Sequence, residues 1–249
     1  MKLAPKDRII FALDVPTTKE AVKYIDLLKD HVGVFKIGLE LFVAEGPRVV
    51  EAVRERMGPK GIFLDMKFHD IPATVKGAMK SASKLGAKFV TVHCDEGRGL
   101  LKAVVEGNTG GTKVLGVTVL TSLSAEDMHD AGIDPKKYKT PADLVLKRSE
   151  LAKAAGCAGV VCSGQEAAGV RKEFGEDFII VTPGIRGPND PVGDQKRVAT
   201  PYEAITNGAD YIVVGRPIRQ ATDPVKAASA IAAEIERAVK DRGTGVRRV

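Results

Sequence analysis

The amino-acid sequence predicts an α/β fold, a single (β/α)8 barrel of the TIM type spanning residues 1–249. Three observations lead there. Eight short apolar, β-branched runs recur along the chain with amphipathic segments between them, the alternation that builds a parallel sheet. Several runs are almost continuously apolar, as strands covered on both faces are. The length of 249 residues matches the roughly 250 of a typical eight-unit barrel. Closure is the simplest arrangement of eight such strands, and a doubly wound open sheet is the structural alternative.

The predicted strands, in order, are Arg8–Val15, Val34–Leu39, Ile62–Met66, Phe89–His93, Val114–Leu120, Gly159–Cys162, Phe178–Thr182 and Tyr211–Val214. Thr18–Lys29, Pro47–Met57 and Thr74–Leu85 show the amphipathic spacing of helices between them. Two long connections interrupt the rhythm. One follows the fifth strand, from Thr121 to about Pro141. The other, Arg186–Arg197, reads RGPNDPVGDQKR, and a polar connection of this length is commonly a lid or a disordered segment.

Composition narrows the function classes. An apolar fraction of 44% and a charged fraction of 28% are ordinary for a globular chain. Cys94, Cys157 and Cys162 form no metal-binding spacing, and free buried thiols suit a reducing cytoplasm. The N-terminal MKLAPKDRIIFALDV reaches an Asp before a signal-peptide apolar core forms, and no apolar run approaches a membrane span. The net charge of +6 is spread along the chain, which suits an anionic small substrate better than nucleic acid. Only residues 241–249 are locally basic.

In a barrel of this kind, active sites gather at the C-terminal ends of the strands. The polar residues there are Asp14, Lys36, Asp65, Lys67, Asp70, His93, Thr121, Arg186 and Arg216. Asp65 and Lys67 are two apart, so on a strand both face the mouth while Met66 faces the helices. A structural ion pair plugging the barrel is the plain reading of that pair. Lys36 on the neighbouring strand changes it, because alternating Asp and Lys keep one another charged and suit electrostatic catalysis on a charged substrate. Ammonium groups in the same place would repel a metal ion. Pro183-Gly184-Ile185-Arg186 and Gly215-Arg216 follow the seventh and eighth strands, where such barrels often bind phosphate. His93 reads as a rim residue, and His31, His69 and His129 carry no assignment.

Leu64-Asp65-Met66-Lys67-Phe68-His69-Asp70-Ile71-Pro72-Ala73-Thr74 resembles the Asp-x-Lys-x-x-Asp-Ile-Pro-x-Thr signature of the orotidine 5'-phosphate decarboxylase family. The resemblance extends through Phe11–Asp14, Phe35–Gly38, Val119–Leu123, Thr182–Arg186, Asp194–Arg197 and Val214–Ile218. It implies a cofactor-free, metal-independent enzyme that converts orotidine 5'-monophosphate to UMP and CO2, the last step of UMP synthesis. Lys67 would protonate C6 of the pyrimidine, with Asp65, Lys36 and Asp70 completing the charged network. Asp14 and Lys36 would hold ribose hydroxyls, Thr121 and Ile71 would contact the nucleotide, and Pro183 would line the base. Arg186, Gln195, Gly215 and Arg216 would bind phosphate, with residues 186–197 as the lid. The family pattern also implies a homodimer with shared sites, Asp70 and Thr74 coming from the partner subunit.

Two rivals stand beside this reading. A magnesium-using Asp-x-Lys-x-x-Asp barrel acting on a sugar phosphate would share the short motif, but not the Asp194-Gln195-Lys196-Arg197 run. A non-enzymatic nucleotide- or RNA-binding module would need a continuous basic face or exposed stacking aromatics. Aromatics are 5% of this chain and Trp is absent.

Overall fold

The computed structural model describes residues 3–187, 193 and 196–244. Eight parallel strands close into one barrel in sequence order: β1 (Ile9–Ala12), β2 (Val34–Ile37), β3 (Ile62–Phe68), β4 (Phe89–His93), β5 (Lys113–Val117), β6 (Gly159–Val161), β7 (Ile179–Thr182) and β8 (Tyr211–Val214). β1 pairs with β8 through Ile9–Ile212, Ile10–Val213 and Phe11–Val214, which shuts the barrel. The open-sheet alternative is thereby excluded.

Most strands are shorter than the apolar runs that predicted them. Leu13 and Val15 beyond β1, and Val119 beyond β5, are as buried as strand residues. Hydrophobicity reports that burial, whereas the regular register stops sooner, with single bonds such as Leu13 N–H to the Lys36 carbonyl at 2.9 Å carrying on past it. Leu39 does not extend β2 but opens a helix of its own, α2 (Leu39–Glu45).

The remaining helices are α1 (Thr18–Leu28), α3 (Arg48–Met57), α4 (Pro72–Lys84), α5 (Gly97–Gly107), α6 (Ala125–Asp130), α7 (Pro141–Ala154), α8 (Ala167–Phe174), α9 (Pro201–Thr206), α10 (Arg216–Arg219) and α11 (Pro224–Thr244). Their starts are written locally. Thr17 caps α1 through the Glu20 amide, and Ser124, Thr140 and Thr200 form capping boxes with Asp127, Asp143 and Glu203. The Ser124 box explains why the connection after β5 holds the short α6 rather than open loop.

The core has two parts. Strand residues facing outward pack with the helices in one large cluster. Inside the barrel, Ile10, Val34, Phe63, Phe89, Leu115, Val181 and Tyr211 form a separate plug, with Phe63 edge-on to Phe89 at 5.7 Å and Phe89 to Tyr211 at 5.2 Å between ring centroids. Side chains on a strand return to the same face every second residue. Two positions further along, the same interior rows carry Ala12, Lys36, Asp65, Thr91, Val117, Pro183 and Val213. The barrel therefore changes from hydrocarbon to charge within one layer, and that layer positions the site.

Cys94, Cys157 and Cys162 are free and buried, as their sequence settings suggested. Burial pushes the Cys157 thiol up to about 12. Among the described residues no helix is long and apolar enough to cross a membrane.

Candidate active site

A cavity of about 300 Å3 opens at the C-terminal end of the barrel, at the lower edge of the size range for small-ligand sites. Its floor is Phe63 of the plug with Ala12, Val117 and Val213 around it, and its walls include Asp14, Lys36, Asp65, Lys67, Thr121, Pro183, Gly184, Arg186, Gly215 and Arg216. Nine of the residues predicted from sequence thus meet in one place.

The charged side forms a continuous chain. The Lys36 ammonium lies 3.2 Å from Asp14 Oδ1 and 3.7 Å from Asp65 Oδ2, and the Lys67 ammonium donates to that same Asp65 oxygen at 2.8 Å. The other Asp65 oxygen accepts the Thr91 hydroxyl at 2.9 Å. Burial works to raise the Asp65 carboxyl. The Lys36 and Lys67 charges, helped by hydrogen bonds from Lys67 and Thr91, outweigh it and hold the group below the ordinary carboxylate range. Asp65 is therefore an anion flanked by two cations, in a site only 13% exposed at its own side chain.

Asp65 and Lys67 do meet, but not through simple strand alternation. Leu64 pairs with Val90 and Phe68 with Val92, so four steps along β3 match two along β4. The extra length is a bulge. Within it Lys67 has φ of 47°, the only positive φ outside glycine among the described residues. A left-handed lysine costs about 1–3 kcal/mol and persists where its surroundings over-determine it. Met66 packs against the helix-facing core as expected, and so does Phe68 beyond the predicted end of the strand.

On the opposite side, Gly184 has φ of 74° in the turn after β7, a conformation that favours glycine. Gly215 brings bare backbone against β1. A Cβ built there would lie 3.4 Å from Ala12 Cβ and 3.5 Å from Asp14 Oδ2. Gly193, with φ of 65°, lies against the Arg216 guanidinium, since a Cβ there would come within 2.5 Å of one of its nitrogens.

Asp70, Ile71 and Thr74 do not line this cavity. All three are exposed on the turn after β3 and the start of α4. Asp70 Oδ1 accepts the Ile71 amide at 2.6 Å. Ile71 is 67% exposed, and Leu39 and Val43 of α2 are 53% and 80% exposed. Gln195 lies outside the described residues, as does most of the 186–197 segment. His93 is the rim residue anticipated. Its Nδ1 faces Asp95 at 3.3 Å, its ring stacks near His69 at 5.3 Å, and His69 meets Glu96 at 3.0 Å.

A family model described as "Orotidine 5'-phosphate decarboxylase / HUMPS family" matches residues 7–231. The chain belongs to this family. Orotidine 5'-phosphate decarboxylase of Desulfosudis oleivorans is 50% identical over 239 residues, covering 95% of this chain and 96% of its own. That of Moorella thermoacetica is 43% identical over 245 residues, covering 95% of each. The crystal structure of orotidine 5'-phosphate decarboxylase from Lactobacillus acidophilus superposes with a TM-score of 0.78 at 36% identity, covering 91% of this chain and 98% of that one. The Pyrococcus horikoshii enzyme does so with 0.72 at 28%, covering 92% and 99%.

Two features of this family member escaped the sequence reading. One is Thr91, an unremarkable strand residue in a valine-rich run. The other is the buried pair Arg197–Glu166 at 2.5 Å. Arg197 also donates to the carbonyls of Val119, Leu120 and Leu123, and its amide to that of Thr121. It ties the residues leading into α9 to the loop carrying Thr121. Arg197 closes the Asp194–Arg197 run, so its position was visible, but its partner 31 residues earlier was not.

Proposed function

We propose that this chain decarboxylates orotidine 5'-monophosphate to UMP, acting as one catalytic domain with residues 186–197 as its lid. The observation that carries the reading is the Asp14–Lys36–Asp65–Lys67 chain set on an apolar floor and facing an arginine- and glycine-lined wall in one cavity. The relatives named for this activity at 43–50% identity support it.

In this reading the phosphate lies between Arg186, Gly215 and Arg216, with Gln195 closing over it. Asp14 and Lys36 hold the ribose hydroxyls, Thr121 contacts the nucleotide, and Pro183 lines the base. The C6–carboxylate bond then breaks, CO2 departs, and the electron pair stays on C6. No ring orbital delocalises that pair. The Lys67 ammonium stabilises it and transfers a proton to C6, and solvent reprotonates Lys67. Opposite unit charges about 4 Å apart at an effective dielectric of about 20 attract by about 4 kcal/mol, roughly a thousandfold in rate. Remote phosphate contacts would supply binding energy for lid closure.

Asp70, Ile71 and Thr74 enter through a second copy. Their exposure, and that of the apolar Leu39 and Val43, supports a homodimer in which each subunit completes the other's site. The three buried free thiols favour the cytoplasm.

A magnesium-using barrel acting on a sugar phosphate would share the Asp-x-Lys-x-x-Asp motif, so the deciding experiment is substrate- and metal-specific. Purified protein with excess chelator is given orotidine 5'-monophosphate and its absorbance followed. Undiminished decarboxylation supports the reading. Turnover only with magnesium, or only of a hexulose or keto-gulonate phosphate, overturns it.

A further inference from the structure

Thr91 has no part in the chemistry just written, yet it touches both charged residues of β3. It is fully buried, and its hydroxyl accepts from the Lys67 amide at 2.9 Å while donating to Asp65 Oδ1 at 2.9 Å. We propose that Thr91 is a positioning residue of the decarboxylation site, one hydroxyl that fixes the Lys67 backbone and the Asp65 carboxylate together. The inference rests on the reading of Lys67 and Asp65 as the reacting pair.

The polarity of the two bonds is forced. An ionised carboxylate has no proton to give, so the single Thr91 hydroxyl proton points at Asp65. That leaves a lone pair for the Lys67 N–H. This amide needs such an acceptor, because the bulge between Leu64 and Phe68 removes it from the regular β3–β4 ladder. A buried N–H without a partner is costly. The same bulge holds Lys67 in its left-handed conformation, which persists only under external constraint. Thr91 supplies that constraint from the neighbouring strand and sets the carboxylate on which the Lys67 ammonium rests.

Packing alone does not call for a hydroxyl here. Valine has the same branched shape as threonine and stands at both neighbouring β4 positions, Val90 and Val92, which face the helices instead. Thr91→Val keeps the branched shape and removes both hydrogen bonds, whereas Thr91→Ser keeps the hydroxyl.

The test measures kcat and KM for orotidine 5'-monophosphate in Thr91→Val, Thr91→Ser and Lys67→Ala, with active sites counted by UMP binding. Per site, Thr91→Val should lose about ten- to hundredfold in kcat, while KM and UMP affinity stay within about threefold. Thr91→Ser should keep kcat within about threefold of the parent. A purely structural role would lower the number of binding sites and leave kcat per site intact. Parent-like kcat in Thr91→Val, equal losses in Ser and Val, or a KM rise matching the kcat loss overturns the proposal. Should Thr91→Val not fold, Thr91→Ala beside Thr91→Ser gives the same comparison. If Lys67→Ala turns over normally, the catalytic reading falls and this proposal with it. If Lys67→Ala is inactive while Thr91→Val is normal, the positioning role alone falls.

Discussion

One oxygen of Asp65 faces two ammonium groups, and the other receives a hydroxyl. Those contacts hold its pKa below the ordinary value of 3.8 despite burial. The sign of the pH dependence follows. A carboxyl whose folded pKa is depressed stabilises the fold above its unfolded value, and that contribution is lost as pH falls through the folded one. Asp65 should therefore be ionised across the neutral range. The difference in unfolding free energy between the parent and Asp65→Asn should be constant from about pH 5 to 8 and shrink below about pH 4. Urea unfolding across that range checks it, and a difference that changes near neutrality would contradict the assignment.

Among the elements, the segment entering α9 is held by Arg197 and Glu166 from beneath. Both side chains are under 10% exposed, so removing the acid leaves a buried guanidinium without its counter-charge. Glu166→Ala should destabilise by about 3 kcal/mol, roughly 6–12 °C in Tm for a chain of this size. A Tm within about 2 °C of the parent would mean that the pair is replaceable. The same scale shows what the sequence could reveal. Eight strands and their order were legible, because burial on both faces leaves continuous apolar runs. Nine site residues were legible, because polar groups at the ends of such runs have few other reasons to be there. Strand ends were not, since Leu13, Val15 and Val119 are as buried as strand residues although they lie beyond the register pairs of β1 and β5. Neither was the β3 bulge. A two-residue surplus against β4 depends on the partner strand, and the residues from Ile62 to Phe68 read alike in regular and bulged form. Thr91 was hidden for the same reason, its role existing only across strands.

At the scale of the molecule, an apolar plug lies beneath a charged layer, and Leu39, Val43 and Ile71 are exposed apolar residues. Asp70 and Thr74 are exposed and do not line their own subunit's cavity, so the proposed shared-site homodimer makes a quantitative prediction. Lys67→Ala and Asp70→Ala should each be inactive alone. Mixed and re-associated in equal amounts, they should regain up to about a quarter of parent activity, since half of the dimers are hybrids with one intact site. Absence of recovery in verified hybrids would place Asp70 in its own subunit's site. In the proposed mechanism a fixed ammonium on β3, that of Lys67, serves as both field and acid. Its most direct measurement is orotidine 5'-monophosphate turnover by Lys67→Ala, with UMP binding as the check on an intact site. UMP should still bind while kcat falls by about a thousandfold or more. Turnover within about tenfold of the parent would contradict it.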